Sequence, residues 1–278
     1  MSEINNNVKQ PGAAEAPKQE TKVAVANNTA APNTAVANNT AVANTGFNVV
    51  ANIEALNEAM SSDCQGLEFT FDKVKLPTGG GVAFEMPSLE SDEPEMVKEI
   101  KGVILHHHPA FSYYKEKYNG SNNPPECFSI DGKVGQGTPG GVCAECPFNV
   151  YGSGENDSKA CKNKRMIYIL MAGEMFPYML NLPTGSLKAF TQFVKSNLSK
   201  GRKLSRIVTK FTLKKATNKS GIAYSQAVFS FDRELNEEEI KSIAPLIELV
   251  KDYSVNHVPA KAFDNGPDDD IPYGDEAK

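Results

Sequence analysis

Apolar positions along the chain change their spacing in a way that orders the predicted elements. Ile53, Leu56 and Met60 recur at helical spacing between Val49 and Ser62, which predicts an opening helix with one apolar stripe. Alternation then takes over. Leu67-Glu68-Phe69-Thr70-Phe71 has period two, and Gly79-Gly80-Gly81 turns the chain into Val82-Ala83-Phe84, a predicted hairpin. Beyond an acidic loop from Glu90 to Glu95, Ile100 to His108 predicts a strand that Pro109 ends. Met166 to Met171 and Met175 to Leu182 predict two more strands, with Gly173 as their turn. Pro183-Thr184-Gly185-Ser186 opens a predicted helix to Ser199, with Leu187, Phe190, Phe193, Val194 and Leu198 as its buried stripe. Ile207 to Leu213 and Ala223 to Phe231 read as long strands joined through Asn218 to Gly221. Asn236 opens a last helix to Tyr253, with Pro245 inside it where a kink or a split is expected. About seven short strands with few helices predict a mainly β, α+β fold, and an OB-like β barrel fits that class.

The first 46 residues follow neither period. Thr34-Ala35-Val36-Ala37-Asn38-Asn39-Thr40 is followed by the near-repeat Ala41-Val42-Ala43-Asn44-Thr45, without an aromatic residue. Such a segment buries too little apolar area to offset its chain entropy, so residues 1–46 are expected to be a flexible arm. The expected core is 47–258, with residues 120–165 as an insertion and 259–278 as an acidic flexible tail. With 278 residues and 40% hydrophobic content, the chain can build a real core. Met1-Ser2-Glu3-Ile4-Asn5 offers no signal-peptide start, and no segment is long and apolar enough to span a bilayer, so a cytoplasmic protein is expected.

Net charge is −5, but its segregation matters more than its sum. Between Met175 and Phe231 there is no Asp or Glu, while Lys188, Lys195, Lys200, Arg202, Lys203, Arg206, Lys210, Lys214, Lys215 and Lys219 supply ten positive charges. From Asp232 to the end, thirteen acids face five bases. A basic body with an acidic tail suits a protein that holds a polyanion. An ordinary solvated lysine face is the other reading.

Cys127, Cys143, Cys146 and Cys161 are spaced C-x15-C-x2-C-x14-C within a Gly-, Pro- and Asn-rich stretch that has no apolar period of its own. Two thiolates separated by two residues reach one ion from a tight knuckle, and two more sulfurs complete a tetrahedron around structural Zn2+. Thiol redox chemistry and unliganded cysteines are the alternatives. Cys64 lies outside the cluster and reads as a small core residue. On a strand, His106 and His108 share one face while His107 points to the other. His108 is an alternative to one cysteine as a zinc ligand. With four sulfur ligands the ion has no open position for hydrolysis, so the metal is expected to be structural.

The chain closes on Asp268-Asp269-Asp270-Ile271-Pro272-Tyr273. This hexamer resembles the Asp-Asp-Asp-Ile-Pro-Phe tip of bacterial single-stranded DNA-binding proteins, with Tyr273 in place of Phe and with Gly274 to Lys278 following it. The resemblance implies an OB-fold core that holds a single strand and a tail that recruits replication, recombination or repair proteins. The four-cysteine insertion is similar in arrangement to the helix-destabilising protein of T-even phages, which inserts a zinc subdomain with one histidine and three cysteines into such a fold. A protein of a phage or mobile element is expected, in the bacterial host's cytoplasm if phage-encoded.

Single-strand binders of low sequence preference pair a cationic track with aromatic faces, because every base can stack. Tyr113, Tyr114 and Tyr118 interleave with Lys115 and Lys117, while Lys162, Lys164 and Arg165 follow the last cysteine. Lys188, Lys195, Arg202, Lys203, Arg206, Lys210 and Lys214 extend the expected track, and Phe111 reads as core packing. No phosphate loop, nucleophile elbow or carboxylate pair is found, so no enzymatic activity is expected. The alternative is a regulatory adaptor whose zinc module binds another protein.

Overall fold

The computed structural model describes residues 70–88, 93–117, 123–218, 220–256 and 258–263, together with positions 46, 47, 58, 62, 63 and 91. The predicted opening helix, Cys64, the arm and the closing hexamer therefore lie outside the described residues, apart from isolated positions of the helix. Among the described residues eleven strands are formed: β1 (Lys73–Val74), β2 (Phe84–Met86), β3 (Glu95–Val97), β4 (Glu99–Tyr113), β5 (Cys127–Ser129), β6 (Val134–Gly137), β7 (Gly141–Val142), β8 (Lys162–Met171), β9 (Tyr178–Leu182), β10 (Ile207–Thr217) and β11 (Ala223–Glu234). Among the described residues two full α-helices join them, α1 (Thr184–Leu198) and α2 (Glu237–Asn256).

Nine strands share one sheet in the order β1-β9-β8-β4-β5-β6-β7, and β4 also pairs with β10, which pairs with β11. The fold is α+β and mostly sheet, as the sequence predicts, and strand pairing among the described residues does not close into a barrel. Its core lies in two layers. Met166, Tyr168 and Leu170 of β8 join Ile243, Leu246 and Val250 of α2 on one face, while Ile167 and Ile169 join Phe190 of α1 on the other. A strand covered on both faces has no polar side to show, which is why Met166 to Met171 is apolar at every position.

β4 organises the sheet. Its first half pairs with β10 from Glu99 to Val103, its last residues pair with β5 from Phe111 to Tyr113, and β8 runs along its other side. The strand does not stop at Pro109, which lies opposite Arg165. Between the ends of β10 and β5 one side of β4 has no ladder partner, so a residue without an N–H is tolerated there. Of the expected hairpin, positions 67–69 lie outside the described residues; the chain folds back across Gly79–Gly81 through an antiparallel bridge between Lys75 and Glu85, while Lys73–Val74 also pairs in parallel with β9 and Phe84–Met86 with Glu95–Val97 across the acidic loop.

Helix α2 starts with a reciprocal cap. The Glu239 N–H donates to Asn236 Oδ1 (2.8 Å) and the Asn236 N–H donates to Glu239 Oε2 (3.0 Å). The helix continues through Pro245 to Asn256 without splitting. Helix α1 matches its predicted span, with Phe190 and Phe193 buried and Leu198 left exposed at its last position. Among the described residues no helix is long and apolar enough to cross a membrane.

Candidate nucleic-acid interface and cysteine centre

The insertion is built from short turns that polar side chains hold. Asp131 Oδ1 accepts the Ser129 hydroxyl (2.9 Å) and the N–H groups of Lys133 (2.7 Å) and Val134 (3.0 Å), turning β5 into β6. Burial pushes the Asp131 carboxyl up, but these donors together hold it below the usual range. Glycine is required at two points. A Cβ on Gly137, at φ +96°, would lie 2.1 Å from the Glu126 carbonyl oxygen, and one on Gly135 would lie 2.9 Å from Cys127 Sγ.

These turns bring the four cysteines around one small cavity, lined also by Phe111, Tyr113 and Asn149. All four are free thiols. The Cys143-to-Cys146 knuckle is fixed from several sides: the Cys143 N–H donates to the Lys133 carbonyl (2.8 Å) and Glu145 N–H to that of Val142 (3.1 Å). Asn149 Nδ2 donates to the Cys143 carbonyl (2.8 Å), and the Cys161 N–H reaches that of Phe148 (2.8 Å). Burial pushes the Cys161 thiol up to about 12, and Cys146, Cys143 and Cys127 add to the rise. Cys143 is raised first by burial, against a bond with Ser129, and further by Cys127 and Cys146. Cys143 and Cys161 are thereby held as thiols, and a cation among them would favour their thiolates. The thiols surround the cavity, yet no group of three or more His, Cys, Asp or Glu side chains among the described residues stands at metal-holding geometry.

A register shift between Ile104 and His106 resets the alternation of β4. His106 and His108 then lie on the α2 face, where both rings pack near Tyr168, and His107 lies on the α1 face, edge-on to Phe190. This is the alternation read from the sequence. His108 has no lone pair left for a metal: Nδ1 bonds the carbonyls of Pro109 and Ile130 (2.8 Å each), and Nε2 takes the Tyr168 hydroxyl (3.2 Å). It ties the insertion, through Ile130, to the middle of the sheet.

The expected stacking residues are largely engaged. Tyr113 stacks on Phe148 of the insertion, with centroids 4.3 Å apart. The Tyr114 hydroxyl donates to the Phe263 carbonyl, and Lys164 Nζ stands 5.8 Å from the Tyr114 ring centre. Tyr118 lies outside the described residues. Phe111 is half-buried against Gly132 and lines the cysteine cavity, in keeping with its expected packing role.

The basic residues divide into two groups. Lys117 pairs with Glu155 (2.6 Å), Arg202 with Glu234 (2.9 Å) and Lys210 with Glu99 (3.4 Å), while Lys164 is only 5% exposed. Lys188, Lys195, Lys203, Arg206 and Lys214 are exposed and have no carboxylate partner among the described residues. Lys115 is exposed, its N–H donating to Glu126 Oε2 (2.8 Å), and Lys162 is half-buried. Arg165 lies on the α1 face with Nη1 2.6 Å from His107 Nδ1.

Sequence reasoning missed the saddle between α1 and the cysteine centre. It consists of His107, Pro109 and Phe111 on β4 facing Arg165 and Asn163 on β8. Strand alternation was the available signal, but a strand ended at Pro109 separated His107 from Phe111. No protein-family model, curated protein or solved structure matches the chain.

Proposed function

We propose that the protein binds single-stranded DNA with little sequence preference, through the exposed basic surface carried by α1 and the segments after it. The observation that carries this reading is the set of exposed, carboxylate-free cations Lys188, Lys195, Lys203, Arg206 and Lys214, all drawn from the acid-free stretch. A polyanion releases condensed counterions on meeting such a surface, and that term dominates sequence-independent binding. The insertion supplies the wall opposite α1 on the same sheet face, with Zn2+ held by Cys127, Cys143, Cys146 and Cys161. The donor set suits that ion: four thiols line one cavity, and Cys143 and Cys161 are raised by burial and by neighbouring cysteines, a cost that a dication would offset. Bound zinc would fix the knuckle and do no chemistry.

The OB-like barrel is not needed for this role, since a sheet face bounded by a helix and a rigid insertion gives the same trough. The closing Asp268 to Tyr273 segment acts in this reading as a docking peptide for replication or recombination proteins in the cytoplasm of a phage host. The deciding experiment is an anisotropy titration of labelled oligothymidylate against the full chain across a range of salt. Affinity is expected to fall steeply as salt rises, and absence of binding at low salt would refute the reading.

A further inference from the structure

Arg165 is half-buried on the sheet face between α1 and the cysteine centre, and no carboxylate among the described residues pairs with it. A guanidinium withdrawn from water ordinarily has an anion beside it, because its lost hydration must be replaced. Here the neighbour is an imidazole. Arg165 Nη1 donates to His107 Nδ1 at 2.6 Å, so the His107 proton sits on Nε2 and the ring is neutral. Burial, then the Arg165 charge, depresses His107 to about 4, so it stays neutral at physiological pH. The guanidinium also stands 5.9 Å from the Phe190 ring centre. The pair fixes the planar fork and leaves its charge unspent.

A second observation comes from the same face. Asn163, two residues before Arg165, has a side-chain oxygen shut off from solvent without a hydrogen-bond partner. A buried acceptor ordinarily has a hydrogen bond, and this one lacks it. Asn163 lies directly opposite Phe111 on β4, and Arg165 opposite Pro109. The Thr184 hydroxyl donates to the Asn163 carbonyl (2.9 Å), which sets the first turn of α1 beside this pair. That turn has no side-chain cap and no acidic residue. Charge, orphan acceptor and ring thus meet on a few adjacent residues.

We propose that Arg165, oriented by His107, is the phosphate-binding centre of this saddle, taking a phosphodiester oxygen of a single strand beside the half-buried Phe111. The proposal rests on the single-strand-binding reading and deepens it, since the exposed lysines supply only a diffuse field whereas Arg165 fixes one phosphate by direction. His107 is a positioning residue: it touches Arg165, and its neutrality keeps the guanidinium available.

The test is the same anisotropy titration with labelled oligothymidylate, run on the full chain and on Arg165→Ala, Arg165→Lys, His107→Phe and His107→Gln. Arg165→Ala should weaken binding about tenfold and reduce the salt slope by about 1. Arg165→Lys should keep the slope and lose part of the affinity, because a point charge replaces a held fork. His107→Phe should weaken binding without a change of net charge, and His107→Gln, which retains an acceptor, should restore it. A merely structural role would not divide slope from affinity in this way. If the wild-type chain binds and both Arg165 variants bind with its affinity and slope, this inference is overturned while the binding reading stands. If the wild-type chain does not bind at low salt, the binding reading fails first. Where Arg165→Ala does not fold, Arg165→Lys and the His107 pair decide the question.

Discussion

Tyr113 lies flat on Phe148, ring centroids 4.3 Å apart and planes within 11° of parallel, so the end of β4 is clasped by the turn that follows the Cys146 knuckle. The contact joins the sheet to the cysteine centre at the cavity that Tyr113 itself lines. The cysteine cavity and the sheet are therefore joined by this aromatic pair as well as by the β4–β5 ladder and the His108–Ile130 bond. Phe148→Ala should cost about 1 kcal/mol beyond the lost apolar area. Hydrogen exchange should show the loss concentrated in β5 to β7, and uniform weakening of the whole sheet would contradict the clasp.

Removal of metal follows from the same centre. Zinc purified with the chain in reducing buffer should approach one ion per chain, by elemental analysis, and Cys143→Ser should lose most of it. Chelation should then loosen the insertion and leave β8 and α2 protected from exchange. Substoichiometric zinc in the wild-type chain would refute the four-cysteine assignment.

Acid should destabilise the protein through its histidine strand. Burial lowers His106 and His107 to about 4, from an ordinary value of 6.5, and also lowers His108. A base whose folded value is depressed takes up protons on unfolding, so the stabilisation is complete above pH 6.5 and is lost as pH falls toward 4. His106 faces Lys251 and the exposed Glu248 of α2, His107 faces Arg165, and His108 faces Tyr168, while the Arg165 charge acts on all three. The urea midpoint should therefore drop across that window. His108→Phe should lessen the drop while costing stability at neutral pH, because the Ile130 carbonyl and Tyr168 hydroxyl lose their partner.

A different acid-sensitive element anchors α2. Arg233 holds Glu239 with two bonds, Nη1 to Oε2 at 2.9 Å and Nη2 to Oε1 at 2.8 Å, and Glu239 also closes the helix cap. Arg233 chiefly, with the Asn236 N–H, carries the Glu239 carboxyl down to about 2 against its burial. Its contribution is present above the unfolded value of 4.5 and is lost as pH falls toward 2, below the histidine window. Glu239→Gln should cost about 2 kcal/mol in chemical denaturation at neutral pH. A neutral effect would mean that the pair only decorates the surface.

Much of the fold could be read from the chain, and the exceptions have physical causes. Helix α1 and the pair β10–β11 carry clear periods, as their spans confirm. β1 has only Lys73 and Val74, too few residues for any alternation, so its parallel pairing with β9 has no local signal. β4 misled because its two halves serve different neighbours, which makes Pro109 acceptable in mid-strand. β8 is apolar from Met166 to Met171 because both of its faces are covered, which a strand assignment alone does not reveal. For the site, the C-x2-C spacing placed the four cysteines around one cavity. The Phe148 partner of Tyr113 and the Asn163 amide carry no signature in sequence, since only the turns of the insertion and the β4–β8 register bring them into position.

Charge segregation yields the last prediction. Residues 264–278 contain Asp264, Asp268, Asp269, Asp270, Asp275 and Glu276 against Lys278 alone, while Lys188 and Lys195 of α1 and Lys214 of β10 are exposed without acidic partners among the described residues. An acidic segment tethered to such a body competes with nucleic acid for the same cations, more strongly at low salt, where the Debye length is longer. Deleting residues 264–278 should therefore leave oligothymidylate binding intact or tighten it, with the largest gain at the lowest salt. The same deletion should abolish capture of proteins that bind an Asp-Asp-Asp-Ile-Pro-Tyr peptide immobilised on its own. If instead the truncated chain loses affinity for the oligonucleotide while remaining folded, the tail belongs to the binding surface, and its role as a separate docking peptide is wrong.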